Sequence, residues 1–120
     1  MKNRLAISII HQLNKELYVF ALKGKVDLEG ARGLEGLADA CELQGIKNVI
    51  LEVSGVKDID APGLGALLEF VKKVEGNGGR LILVSVPPKM KKAFRVHDVT
   101  EHFYIKDDVS SAIEELCLSD

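Results

Sequence analysis

No stretch of the chain is apolar for long enough to cross a bilayer, which takes about 20 residues of helix, so no membrane insertion is expected. Charge of one sign is also missing: 16 basic residues face 18 acidic ones, for a net charge of −2. A balance this even excludes the strong field that gathers nucleic acid or an anionic membrane surface. Cysteine is sparse. Cys41 and Cys117 fall inside helical patterns with no metal-ligand spacing, and both are expected to be buried free thiols in a reducing compartment rather than a disulfide. Met1-Lys2-Asn3-Arg4 leads straight into an alternating stretch and opens no signal-peptide pattern, so a cytoplasmic location is expected. Linkers, internal repeats and low-complexity tracts are absent, and residues 1–120 are expected to form a single domain. The chain has no serine or cysteine nucleophile with a paired base and no cofactor fingerprint. It is therefore read as a non-enzyme that uses no cofactor and no metal.

What remains is core material: 47% of the residues are hydrophobic against 28% charged, enough to build a packed interior. Leu5, Ile7 and Ile9 alternate as one face of a strand does, Gln12 to Lys15 supply a polar turn, and Glu16 to Leu22 read as a hairpin partner ended by Gly24. Asp27 suits a helix N-cap. Ala31, Leu34, Leu37, Ala38 and Cys41 then repeat at helical spacing up to the stop at Gly45, although Gly30, Gly33 and Gly36 weaken that helix. Asn48 to Val53 is a short buried strand, and Ser54 to Ile59 reads as a loop. Asp60-Ala61-Pro62-Gly63 opens a helix whose stripe is Leu64, Leu67, Leu68, Val71 and Val74. Proline costs nothing in a first turn, and Asp60 suits the positive end of the helix dipole. Gly76 to Gly79 close it. Arg80 to Val86 is another buried strand, Pro87-Pro88 start a short helix with Met90, Ala93 and Phe94 inward, and His102 to Ile105 is a last short strand. Val109, Ala112, Ile113 and Leu116 mark a terminal helix capped by Asp107 or Asp108. The order ββαβαβαβα implies an α/β domain with a largely parallel sheet and one antiparallel edge strand.

Several clusters invite a chemical reading. Glu52, Asp58 and Asp60 have the makings of a carboxylate site, but no histidine or cysteine joins them nearby, and they read as a helix cap plus solvated acids. Gly76-Asn77-Gly78-Gly79 sits at the wrong end of a helix to hold phosphate. Gly63-Leu64-Gly65 lacks both the Lys-Ser/Thr of a P-loop and the third glycine of a dinucleotide fingerprint. His97, Asp98, Glu101 and His102 match no metal template, and His11 stands alone. Lys89, Lys91, Lys92 and Arg95 read as a solvated basic face, with contact to an acidic partner as the alternative.

The stretch Val49 to Gly65 resembles the signature of STAS domains of the anti-sigma factor antagonist type: a buried strand, a short connection, then Asp, two small hydroxyl residues, Gly, an aliphatic residue and Gly opening a helix. Leu22 to Asp27 is similar to the family's second landmark, and Ser85-Val86-Pro87-Pro88 to a third. The resemblance implies a mixed sheet of about five strands with helices mainly on one face. It implies a protein-binding regulatory module that binds an anti-sigma factor of the serine-kinase type to release a sigma factor, acting as a monomer or weak dimer. It places partner contacts at Asp27, Ser54, Asp58, Asp60, Ala61, Pro62 and Gly63. In the family a serine after the Asp is phosphorylated, and the roughly −1.5 to −2 charge of phosphate ends binding. Here Ala61 and Pro62 hold those two positions and neither has a hydroxyl, so no phosphorylation is expected at this turn. Two alternatives stand beside this reading: a STAS subunit of a membrane transporter or a signalling scaffold, and a small ligand-binding domain or enzyme using the Asp58 and Asp60 region.

Overall fold

The structure is a computed structural model that describes residues 4–118. Met1-Lys2-Asn3, where the signal-peptide reading began, lie outside the described residues. Five strands form one sheet in the order β1-β2-β3-β4-β5. β1 (Ala6–Asn14) runs antiparallel to β2 (Leu17–Val26), and β3 (Asn48–Ile59), β4 (Leu81–Val84) and β5 (Tyr104–Lys106) follow parallel to β2. The crossovers carry α1 (Leu28–Leu43), α2 (Ala61–Gly76) and α3 (Pro88–Val96), and α4 (Val109–Leu118) ends the chain. The mixed, mostly parallel sheet is thus the one expected.

Side-chain alternation along the strands splits the interior in two. Phe20, Leu22, Val49, Leu51, Val53, Leu81 and Leu83 point to one face, where α1, α2 and α3 bring Leu34, Leu67, Phe70 and Phe94. Leu17, Val19, Ile50, Ile82 and Val84 point to the other, covered by Ala112 and Leu116 of α4. Helices therefore lie mainly on one face, as expected. Phe70, absent from the stripe read in the sequence, is among the most buried side chains, whereas Leu68 is only half-buried.

Several boundaries differ from the sequence reading, each for a local reason. Ser54 to Ile59 is not a loop but the second half of β3, and β2 does not end at Gly24 but continues to Val26 beside it. Two bulges on β3 insert one residue between the Glu52 and Gly55 pairings and another between Val56 and Asp58. The inward residues become Val53, Val56 and Ile59, so the period-two signal is lost although the strand persists. β1 likewise carries bulges at Ile10 and Leu13 and takes in Gln12, Leu13 and Asn14, leaving the turn at Lys15 and Glu16. Ile9, expected inward with Ile7, is 62% exposed. The last strand begins at Tyr104 because Thr100–His102 form a 3₁₀ turn. Cys41 is buried as expected, and burial pushes its thiol up to about 11. Cys117 is exposed, contrary to expectation, because the apolar stripe of α4 runs through Ala112 and Leu116 and leaves its neighbour outside.

The cap of α4 is Asp108, whose Oδ1 accepts the Ser111 N–H at 2.8 Å. That bond holds the carboxyl below its ordinary value. A carboxyl whose folded pKa is depressed contributes stability above its unfolded value, near pH 4, and loses it as pH falls through the folded value. Asp108→Asn keeps a capping oxygen but does not titrate. Its melting temperature should fall less steeply than the parent's between pH 5 and pH 2, by a few degrees. Parallel acid limbs in the two melting profiles would refute this.

Candidate functional site

The region singled out in the sequence lies at the C-terminal ends of β2 and β3. These strands finish side by side, with Lys25 paired to Asp58 and Val26 to Ile59. Each then turns directly into a helix through the same four-residue device. Asp27 caps α1, its Oδ1 accepting the Gly30 N–H at 2.8 Å; Asp60 caps α2, its Oδ1 accepting the Gly63 N–H at 3.0 Å. The pattern Asp-x-x-Gly therefore occurs twice, at 27–30 and 60–63. The Asp is required to satisfy an orphan backbone donor.

The glycine is required by the packing of each first turn onto the strand below. A Cβ on Gly63 would lie 1.8 Å from the Val26 carbonyl oxygen, and one on Gly30 would lie 2.6 Å from that of Lys25. The Asp60 N–H also donates to the Val26 carbonyl at 3.2 Å. The first turn of α2 is thus fastened to the end of β2. Gly33 meets only the tip of Ile7, and Gly36 meets nothing within 4 Å.

On this platform Ala61 and Pro62 are exposed and Gly63 is buried beneath them. Pro62 lies on a groove of about 310 Å³ between α1 and α2, with Leu28, Ala31, Gly65 and Ala66 in its walls. Leu28, the residue after the Asp27 cap, is 61% exposed. A large apolar side chain left in water beside Pro62 makes it part of the same surface. Leu28 was not among the residues picked from the sequence, and the repeated Asp-x-x-Gly pattern was the signal that could have found it.

The structure brings most, but not all, of the expected residues together. Asp27, Asp58 and Asp60 line one cleft of about 210 Å³ with Lys25. Asp58 turns its Oδ1 back to the Ile59 N–H at 2.9 Å. Ala61, Pro62 and Gly63 form the adjoining helical turn. Ser54 does not join them: it sits exposed at the first bulge of β3, where its N–H and its Oγ both donate to Glu52 Oε1, at 3.2 and 3.0 Å. Among the described residues, no three His, Cys, Asp or Glu side chains are grouped to hold a metal ion, and His97, Asp98, Glu101 and His102 stay exposed and apart from this end of the sheet. No helix of the described residues is long and apolar enough to cross a membrane.

A mixed five-stranded sheet whose parallel strands end in two capped helices, with an exposed small-residue turn between them, defines an α/β module that presents a helix N-terminus at its surface. The chain belongs to the STAS domain family, whose sequence profile matches residues 8–112. It is 26% identical over 87 residues to an anti-sigma F factor antagonist of Lysinibacillus sphaericus, a match that covers 72% of this chain and 74% of that protein. The solved structure of the anti-sigma factor antagonist SpoIIAA in its unphosphorylated form superposes with a TM-score of 0.79, at 19% identity, over 96% of this chain and 99% of that one. A sulfate transporter family protein from Wolinella succinogenes is similar too, with a TM-score of 0.77 and 25% identity over 90% of both chains.

Proposed function

We propose that the chain is a cytoplasmic, non-catalytic anti-sigma factor antagonist that captures an anti-sigma factor of the serine-kinase type through the first turn of α2 and the neighbouring groove, without a phosphorylation switch at that turn. The curated relatives named as antagonists support the role. The single observation that carries the site is the fastening of the α2 first turn to Val26, which holds Ala61 and Pro62 exposed on a rigid support. Rigid presentation lowers the ordering cost of binding. Small side chains let a partner backbone come close. Asp27, Asp58 and Asp60 outnumber Lys25 in the adjoining cleft and give it an acidic character that suits a basic partner surface.

Affinity capture from the native cell with mass spectrometry tests this reading. Recovery of a kinase-like anti-sigma factor, lost on altering Ala61 or Pro62, is the expected result. Recovery of transporter subunits instead would favour the second reading, which the likeness to the sulfate transporter family protein supports. A ligand bound stoichiometrically in the Asp27–Asp58–Asp60 cleft would favour the third.

Regulation has its own test. A kinase partner should leave the turn from Asp60 to Gly63 unlabelled, because Ala61 and Pro62 offer no acceptor oxygen. Ala61→Ser should restore labelling at that position and, with it, loss of binding on addition of ATP. Phosphopeptide mapping that finds Ser54 modified in the parent would point to a displaced switch.

A further inference from the structure

We propose that a second copy of this chain pairs with the outer edge of β1, joining the two sheets antiparallel across a two-fold axis. The edge has the properties that self-pairing needs. β1 is nine residues long and forms one margin of the sheet; β5, the other margin, has three. Between Arg4 and Lys15 there is no Asp, Glu, Lys, Arg or Pro, the residues that usually guard an edge strand. Bulges are a further usual protection, but here each puts a large apolar residue at its extra position. Ile10 is 41% exposed and Leu13 44%, beside Ile9 at 62%. Among the described residues nothing covers this edge.

A neutral strand laid antiparallel on itself meets no like charge in any register, and it closes two open edges at once. A foreign peptide would close only one. The flank of α1 continues the surface. Gly33 lies against the tip of Ile7, and Gly36 and Ala40, at helical spacing from it, are exposed and uncharged. Arg4, Glu29 and Arg32 border this flank near the start of β1, Arg4 already paired to Glu29 at 2.6 Å, so the contact is carried by the neutral edge of β1 and the Gly36 and Ala40 side of α1. A strip of about 30 Å by about 15 Å gives on the order of 450 Å² per copy, roughly half of what a standard stable complex buries, so the pairing is expected to be reversible at micromolar concentrations. The edge runs along the side of the sheet, whereas the Asp60 turn lies at its end, so each copy keeps its own turn free.

Sedimentation velocity between about 5 and about 500 μM, an interval that brackets a micromolar dissociation constant, provides the test. The expected result is a mass that rises from the 13.1 kDa of one chain towards twice that value, with hydrogen exchange of β1 amides slowing in step. Ile9→Lys should hold the mass at one chain throughout, while Val96→Lys, on α3 and somewhat more exposed to solvent, should dimerise as the parent does. If Ile9→Lys fails to fold, Ile10→Lys serves in its place. A parent that stays at one chain up to the highest concentration overturns the proposal. So does a dimer that survives the β1 substitution, or one whose slowed amides lie outside β1. None of these outcomes depends on the identity of any other partner.

Discussion

Gly63→Ala should lower the stability of the domain by about 3 kcal/mol, although it adds one methyl group near the surface. In an open helix the change would be favourable by about 0.5–1 kcal/mol, because alanine loses less backbone freedom than glycine. Here the added carbon would stand 1.8 Å from the Val26 carbonyl oxygen and 2.5 Å from its carbon. Both are backbone atoms in the sheet and cannot rotate away. The first turn of α2 must lift off β2, stretching the Asp60 N–H bond to the same carbonyl and disturbing the Asp60 cap. Overpacking of this kind typically costs 1–3 kcal/mol or somewhat more. For a domain of this size, about 3 kcal/mol lowers the melting temperature by roughly 12 °C. Gly65→Ala, two residues on and with nothing within 4 Å, is the control, and should melt at or slightly above the parent. Gly30→Ala should fall between them, since its contact with Lys25 is 2.6 Å. Urea or thermal unfolding of the three variants decides the matter. A Gly63→Ala protein that melts within two or three degrees of the parent would mean that the turn is not fastened to the strand as described (roughly 4 °C corresponds to 1 kcal/mol here).

The reach and the limit of the sequence are visible in the same residues. Capping Asp residues, helix stripes and buried strands were legible because each follows a local rule: an orphan donor needs an acceptor, and a buried face needs a period. The continuation of β3 through Ser54–Ile59 was not legible, because two bulges scramble the period that marks a strand. The glycines of α1 were also opaque. Gly30 is explained only by the carbonyl of Lys25, which approaches from another element. The exposure of Cys117 and Ile9 depends on what covers α4 and the sheet edge, a tertiary fact with no local sign. Near the candidate site, Asp27 and Asp60 were legible as caps by that local rule, and the turn at Ala61 and Pro62 was singled out by the family resemblance. Leu28 was not, because an apolar residue in a first turn looks like core until its exposure is seen. Ser54 stood close to the turn in sequence, but the residues between them are extended strand rather than loop, which carries Ser54 away along β3 to its bond with Glu52.

Ala61→Asp should leave folding unchanged and lower affinity for the native partner by about two orders of magnitude. Ala61 is the first residue of α2 and is exposed. A carboxylate there gains about 0.3–1 kcal/mol from the helix dipole. Asp58 and Asp60 nearby oppose it, and the two effects should cancel to within about 0.5 kcal/mol, as for most surface substitutions. Thermal unfolding should therefore give matching curves for parent and variant. The bound state differs in kind. A partner seated on Ala61 and Pro62 removes water from the new carboxylate and meets it with a surface shaped for a methyl group. A buried charge without a partner costs several kcal/mol, and about 2.7 kcal/mol already corresponds to a hundredfold loss. Ala61→Asn, of nearly the same size but uncharged, should lose less than the aspartate does, which separates charge from bulk. Calorimetric titration of the three proteins with the partner recovered from the cell gives the answer. Equal affinities for parent and Ala61→Asp would remove this turn from the interface while leaving the fold and the family untouched. A loss shared equally by Asn and Asp would keep the turn in the interface but assign the effect to size rather than charge.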